Sequence, residues 1–490
     1  VNLLGEAEKA EVRIGKGPPL EKATLPDPGP VSLRKVFGPG LVLAALGVGL
    51  GETFMWPRLV IVFGPEIRWI ATVGLIIQTV VTMEIARWTY FTGESIFAAA
   101  KRIHPLLMWY FYIIAALVYI WPGHVVLGAS SLAMLLGMKN WIPLAVASIL
   151  AIAFILIFAP YQVYKTVKTI LMIAICIMVA VSFGVAVSTG TPAMWGEALY
   201  GSVAFGWSHP MMYTAVWLPL IVGAMAFIGP SGMQQMWYTL WAREENNGMA
   251  AYMPKITGLI FGKEEKWRAE GYFFDVNDDK EMEKWKRWRK MNIYDALISF
   301  ATITFITTLF FTVLSMAAAQ MSPEALKAIK AGKTEIAIKA IAKAFTAISP
   351  ALYPLWFIVM FVVGFKMSLG IFDAFARGQA DMTFHLFPRA QKLGMRKWYY
   401  IWVAIVTLIG IVTTLLGSPK GPAFILDVLA FLSPVIMGSY CLLLLYVNIK
   451  MVPKRIRMSL PAAIILAAGA VFYLVSLFYC VVIFHAIPTG

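Results

Sequence analysis

Cysteine and histidine are nearly missing from this chain. Its three cysteines, Cys176, Cys441 and Cys480, lie in apolar stretches far from any CxxC-like spacing, which argues against a disulfide framework or a thiolate metal site. Five histidines without HxxH or HExxH spacing argue against a defined histidine metal centre. Charge is scarce too: charged residues make up 14% of the 490, against 60% hydrophobic residues, so most of the chain is solvated by lipid. No P-loop, nucleophile–base constellation or zinc motif is present, so an enzyme is not expected and no cofactor is implied. Nor is there the repeated filter or charge ring of a channel.

What fills the sequence instead is apolar runs. About eleven are long enough to cross a hydrocarbon core of roughly 30 Å. They fall near 37–63, 67–91, 106–136, 141–159, 166–188, 214–240, 292–318, 350–375, 398–417, 422–447 and 459–484. The expected fold is therefore an all-α integral membrane protein. Residues 1–36 are polar and rich in Pro and Gly, which reads as a disordered arm rather than a signal segment.

The net charge of +15 is mostly a topological signal. With the N-terminus inside, 31 of the 41 Lys and Arg fall in inner segments, which predicts a cytoplasmic N-terminus and an extracellular C-terminus in a plasma membrane. Contact with anionic lipid is a secondary consequence, and nucleic acid is not an expected partner. The inner segment 243–291 carries near-balanced charge with Trp267, Trp285 and Trp288, which favours a folded cap or an interfacial helix over a polybasic tail. On the outer side, 319–349 contains Ser322-Pro-Glu, an N-cap signal, followed by Leu326, Ile329, Ile336 and Ile341 among lysines, which predicts an amphipathic surface helix.

Two spans are interrupted. The first contains Gly47-Val-Gly49-Leu-Gly51-Glu52-Thr53, and the sixth contains Gly229-Pro-Ser231-Gly. Unwinding inside a bilayer frees backbone groups that each cost several kcal/mol, roughly, if left facing lipid. Paired breaks in two halves of a chain point to a transporter's binding site.

Several segments resemble Nramp-type metal-ion transporters: Phe37-Gly-Pro-Gly-Leu41, Gln78 with Glu84-Ile-Ala-Arg87, Thr92-Gly-Glu94, Met291-Asn-Ile-Tyr-Asp-Ala296 and Arg377-Gly-Gln379. The resemblance runs over most of the first ten spans. It implies the five-plus-five inverted-repeat fold of the amino acid–polyamine–organocation superfamily, with broken helices 1 and 6. The repeats would be 37–188 and 214–447 in a core of 37–458, followed by an additional helix in 459–490. The family has Asp-Pro-Gly-Asn in the first break and Met-Pro-His in the sixth. Here Gly-Leu-Gly-Glu52-Thr53 and Gly229-Pro230-Ser231 stand instead, and the family's acidic residues in the third span have no clear counterpart near Tyr119-Ile-Trp-Pro-Gly-His124.

The candidate substrate-binding residues are Gly47, Gly49, Gly51, Glu52, Thr53, Gln78, Ile228, Gly229, Ser231 and Gln234. Glu52 leads them, because an ionised carboxylate at that depth demands a cation, a proton or a helix N-terminus. With Glu52 and Ser231 as side-chain ligands, a metal site here would be all oxygen, suited to magnesium, manganese or calcium. Gln235 is a further amide near the break. Lys366 falls mid-span where the implied fold commonly holds a sodium, so its ammonium is a candidate replacement for that ion. With Glu52 and Asp373 it forms the expected coupling set, and Arg377 extends the same face.

Asp427 is expected to line an outer vestibule or to pair with another helix, His124 to relay protons, and Glu84 to pair with Arg87. Trp56-Pro57-Arg58 reads as an outer interfacial anchor. Function is expected to be secondary transport of a divalent cation, possible alternatives being proton-coupled transport of an amino acid or amine, or a non-transporting scaffold. The sequence leaves oligomeric state open.

Overall fold

The computed structural model of the protein describes residues 11–30, 38–160, 162–260, 262–263, 265–331, 333, 336–417 and 421–487. It is almost entirely helical. Nine helices are long and apolar enough to cross a membrane, and the shorter apolar helices Ile142–Phe158 and Trp217–Ala226 bring the described spans to the eleven expected. Phe37 lies outside the described residues.

Spans one to five are Pro39–Phe63, Pro65–Thr92, Pro105–Leu135, Ile142–Phe158 and Val163–Thr189. The sixth is Trp217–Ala226 continued, after an irregular stretch, by Tyr238–Glu244. Spans seven to ten are Asp279–Met321, Pro350–Leu386, Met395–Leu416 and Pro422–Met451, and Leu460–Ile483 is the eleventh. The eighth span packs against the second half of the third and against the fifth and ninth. The second half of the first packs on the seventh, and the sixth on the tenth.

Each break has a local cause. In the first span the helix Pro39–Gly47 stops where Val48 leaves helical geometry (φ −69°, ψ 73°). The chain resumes through a π-helical turn, Gly51–Met55, in which Trp56 N–H reaches back to Gly51. In the sixth span Phe227 ends the first half, and Gly232 turns the chain at φ +53°, a conformation that L side chains rarely adopt.

The N-terminal arm departs from the expectation of disorder over residues 11–30. Strand β1 (Glu11–Val12) pairs antiparallel with β2 (Leu20–Lys22), which pairs parallel with β3 (Tyr272–Phe273) of the 243–291 segment. Composition concealed this because the anchors lie far away in sequence. Arg102 donates to Glu94 through two nitrogens (2.7 and 2.6 Å) and to the carbonyls of Ile14 (3.0 Å) and Pro18 (2.7 Å). Trp288 donates to Pro26 O (2.7 Å), and Leu25 N–H to Glu281 (2.5 Å). The last residues of the same 243–291 segment belong to the helix Asp279–Tyr294, which is the first part of the seventh span.

On the opposite face the 319–349 segment forms two helices, Pro323–Lys330 and Ile336–Phe345. Ser322 sits at the first N-cap but its side chain makes no capping bond. The second helix does not float on the surface: Ile338, Ile341 and Phe345 are buried against the seventh and eighth spans.

Replacing Arg102 by Ala leaves Glu94 buried without its partner, a loss of about 3–5 kcal/mol. Thermal unfolding in detergent should shift down, and protease cleavage should appear within residues 11–30; an arm as resistant as wild type would contradict the anchoring role.

Candidate functional site

The two breaks lie against each other. A Cβ placed on Gly47 would come 3.0 Å from Gly229 Cα, and one on Gly51 would come 2.1 Å from Phe227 O. Gly229 in turn lies against Gln78 Oε1 and the Phe300 ring. The glycines of the sequence motif therefore serve close approach of backbone to backbone. Of the predicted set, Gly47, Gly49, Gly51, Glu52, Thr53, Gln78, Ile228, Gly229, Ser231 and Gln234 are all buried.

Two consecutive residues of the eighth span close the first break. Lys366 Nζ donates to the carbonyls of Ala45 and Val48, the latter at 2.7 Å. Met367 Sδ accepts from Leu50 N–H (3.2 Å), and Gly49 has no room for a Cβ beside that sulfur. The carbonyls that the helix frees on one side of the break and the amide on the other are thus both satisfied by side chains from one neighbouring helix.

Met367 escaped sequence reasoning. A methionine in an apolar span carries no distinguishing pattern, and its one signal was adjacency to Lys366. The methionine that the resembled family carries in its sixth break is replaced here, and a thioether from another helix, Met367, lies instead at the first break.

Glu52 is fully buried at the start of the π-helical turn. Thr307 of the seventh span donates to its Oε2 (2.6 Å), while Oε1 has no hydrogen-bond partner. Arg68, at the start of the second span, is a further buried cation. Arg68 was not anticipated either. It is 2% exposed and donates to Ala198 O and Phe305 O, both at 3.0 Å, and to Ser202. Thr53 turns its hydroxyl back to Gly49 O (2.9 Å).

At the sixth break Tyr119 OH donates to Ser231 O (2.7 Å) and accepts from Met233 N–H (2.9 Å), fixing the turn at Gly232. The Ser231 hydroxyl accepts from Gln234 Nε2 (3.2 Å), leaving Gln234 Oε1 unpartnered. Gln78 Nε2 reaches Ala226 O (3.4 Å), and its Oε1 is also unpartnered. Gln235 bonds Gln78 O (2.8 Å) and accepts from Tyr440 (2.6 Å), an interhelical tie. His124 stacks on Phe227 with ring centroids 5.9 Å apart, and its Nε2 is unpartnered.

The remaining expectations separate. Asp373 does not join Lys366: it accepts from Arg377 (2.9 Å) and Tyr399 (2.7 Å), and Arg377 also bonds Glu244 (2.5 Å). Asp427 takes the interhelical alternative, paired with Arg58 through two hydrogen bonds. Trp56 and Arg58 are 2% and 0% exposed, so Trp56-Pro57-Arg58 is an internal element and not an interfacial anchor. Glu84 and Arg87 pair as expected (2.6 and 2.9 Å) and are joined by Arg289 (3.2 Å).

No protein-family model matches the chain, and no curated sequence matches it. Solved structures do. The Eremococcus coleocola manganese transporter, in complex with an aromatic bis-isothiourea substituted compound, superposes at a TM-score of 0.63 with 13% identity, covering 94% of this chain and 89% of that one. Variants of the same transporter match equally. MhsT in complex with L-phenylalanine matches at 0.50 with 12% identity over 90% of this chain and 96% of that one. The chain shares its fold with the manganese transporter. At such identity the likeness establishes a five-plus-five inverted-repeat membrane fold with broken first and sixth helices.

Among the described residues no group of three or more His, Cys, Asp and Glu side chains could hold a metal. A cation at the breaks would have to draw on Glu52, the amide oxygens of Gln78 and Gln234, backbone carbonyls and the Met367 sulfur.

Lys366→Ala removes the donor to two buried carbonyls and should cost about 3 kcal/mol, whereas Met367→Leu, which orphans one amide, should cost about 1–2 kcal/mol. Thermal unfolding of both variants checks that order; equal effects would show that the break does not depend on the ammonium.

Proposed function

We propose that this chain is a secondary active transporter that carries a divalent cation through the paired breaks of the first and sixth spans. The observation that carries the reading is chemical. The unpartnered side-chain oxygens at the breaks, Glu52 Oε1, Gln78 Oε1 and Gln234 Oε1, are acceptors, and buried acceptors of this kind call for a cation or a donor-rich ligand. The fold likeness to a manganese transporter supports the same substrate class.

Ion pairs tie the spans together on both sides of the breaks. On one side Arg58 of the first span grips Asp427 of the tenth. On the arm side Arg243–Asp381 (2.7 Å), Arg377–Glu244 (2.5 Å) and Arg102–Glu94 (2.6 Å) tie the inner half of the sixth span, the eighth span and the segment after the second. Alternating access then consists of releasing one set while the other holds, with the broken helices as hinges. Lys366, held on Ala45 O and Val48 O, supplies a fixed charge in place of a coupling cation, so Glu52 is the group available to exchange a proton with the substrate, and Asp373 belongs to the arm-side set.

A second reading, transport of a small organic amine, is favoured by the missing three-ligand cluster and by the ammonium already lodged in the first break. An amine would use the same three oxygens through N–H donors.

Uptake into proteoliposomes separates these readings. Wild type should accumulate manganese saturably, and Glu52→Gln should lower uptake by roughly tenfold or more, the consequence of losing about 1.4 kcal/mol or more of binding. Saturable uptake of labelled amines without manganese would select the second reading. Uptake of neither would leave a closed scaffold.

A further inference from the structure

Away from the breaks, on the arm side, a cavity of about 820 Å³ lies where the second span, the helix leading into the seventh and the start of the eleventh meet. Six cationic side chains line it: Arg87, Lys286, Arg289, Lys290, Arg455 and Arg457. The only acid lining it is Glu84. That acid is committed to Arg87 and Arg289, and Arg455 is held by Asp279 (2.6 Å). Lys286 and Lys290 are exposed and form no ion pair among the described residues, although Lys290 lies over the Tyr294 ring. The cavity therefore keeps a strong positive excess with at least two uncommitted ammonium groups.

Its membrane-directed wall is apolar, formed by Val80, Met83, Pro461 and Ile465. Val80 and Met83 also line a second cavity, a groove of about 440 Å³ between the second and seventh spans, where Leu75, Ile76, Leu297 and Phe305 give an almost wholly apolar surface. A basic chamber and an apolar groove between two spans thus adjoin across the shared residues Val80 and Met83. Neither half alone singles out a ligand. Together they match one molecule with a phosphate head and a long apolar tail.

We propose that the two cavities form a binding site for one anionic phospholipid, its phosphodiester among Lys286, Lys290, Arg455 and Arg457 and an acyl chain in the groove between the second and seventh spans. Arg87 and Arg289, fixed by Glu84, form the rigid back of the head-group chamber. The groove borders the stretch Asp295–Thr302 of the seventh span, a π-helical segment one turn from the Glu52 partner Thr307, so an occupied site props the helix that holds Glu52. The site is independent of the transported substrate.

The test uses the full chain in neutral detergent, with native mass spectrometry reading bound lipid after addition of phosphatidylglycerol or phosphatidylcholine, and a thermal-shift arm with inorganic phosphate. Wild type should retain one phosphatidylglycerol in preference to phosphatidylcholine, by roughly fivefold for each cation in contact. Charge reversal by K286E with K290E should abolish the preference. The groove-filling A301W should reduce retention of either lipid while the protein keeps its elution volume. Equal retention of the two lipids by wild type, or a preference that survives both variants, would overturn the proposal. So would stabilisation by inorganic phosphate equal to that by the lipid, which would mark a free-phosphate site.

Discussion

Everything in the centre of this molecule depends on how the first span is allowed to be broken. A helix interrupted in hydrocarbon exposes carbonyls on one side and amides on the other, and neither can be left to lipid. Here the eighth span supplies both partners from adjacent residues. The Lys366 ammonium takes Ala45 O and Val48 O, and the Met367 sulfur takes Leu50 N–H. Because these bonds cross between two helices, the break is rigid only while the eighth span stays in register with it. Any motion that separates them must offer the freed groups something else.

That constraint organises the charges around it. Lys366 sets its amine on two carbonyls of the first break, and Glu52, buried with Thr307 as its donor, is the carboxylate of the same break. Two sets of ion pairs lie beyond these residues: Arg58–Asp427 toward one face, and the Arg243–Asp381 and Arg377–Glu244 pairs toward the other. Buried pairs of this kind add little net stability compared with apolar packing, but breaking one half is costly. They are suited to holding discrete states apart, which is what alternating access requires.

The eleven spans were legible because lipid demands long apolar runs, and the sequence boundaries agree with the helices to within a few residues at most ends. The breaks were legible because Gly47, Gly49, Gly51 and Gly229 interrupt those runs. Less visible were contacts set by tertiary packing. Met367 is one apolar residue among many, Arg68 carries no pattern that sets it apart, and Trp56-Pro57-Arg58 had the composition of an interface while being buried among helices. Residues 11–30 looked disordered because Arg102, Glu281 and Trp288, which hold them, are remote in sequence.

The central claim is that the unpartnered oxygens at the breaks receive a cation. Titration calorimetry of manganese, magnesium and calcium into the purified protein, wild type against Glu52→Gln, tests it most directly. The account predicts saturable binding of at least one of these ions by the wild type and its loss in the variant. Binding unchanged by the substitution, or no binding of any of the three, would contradict it.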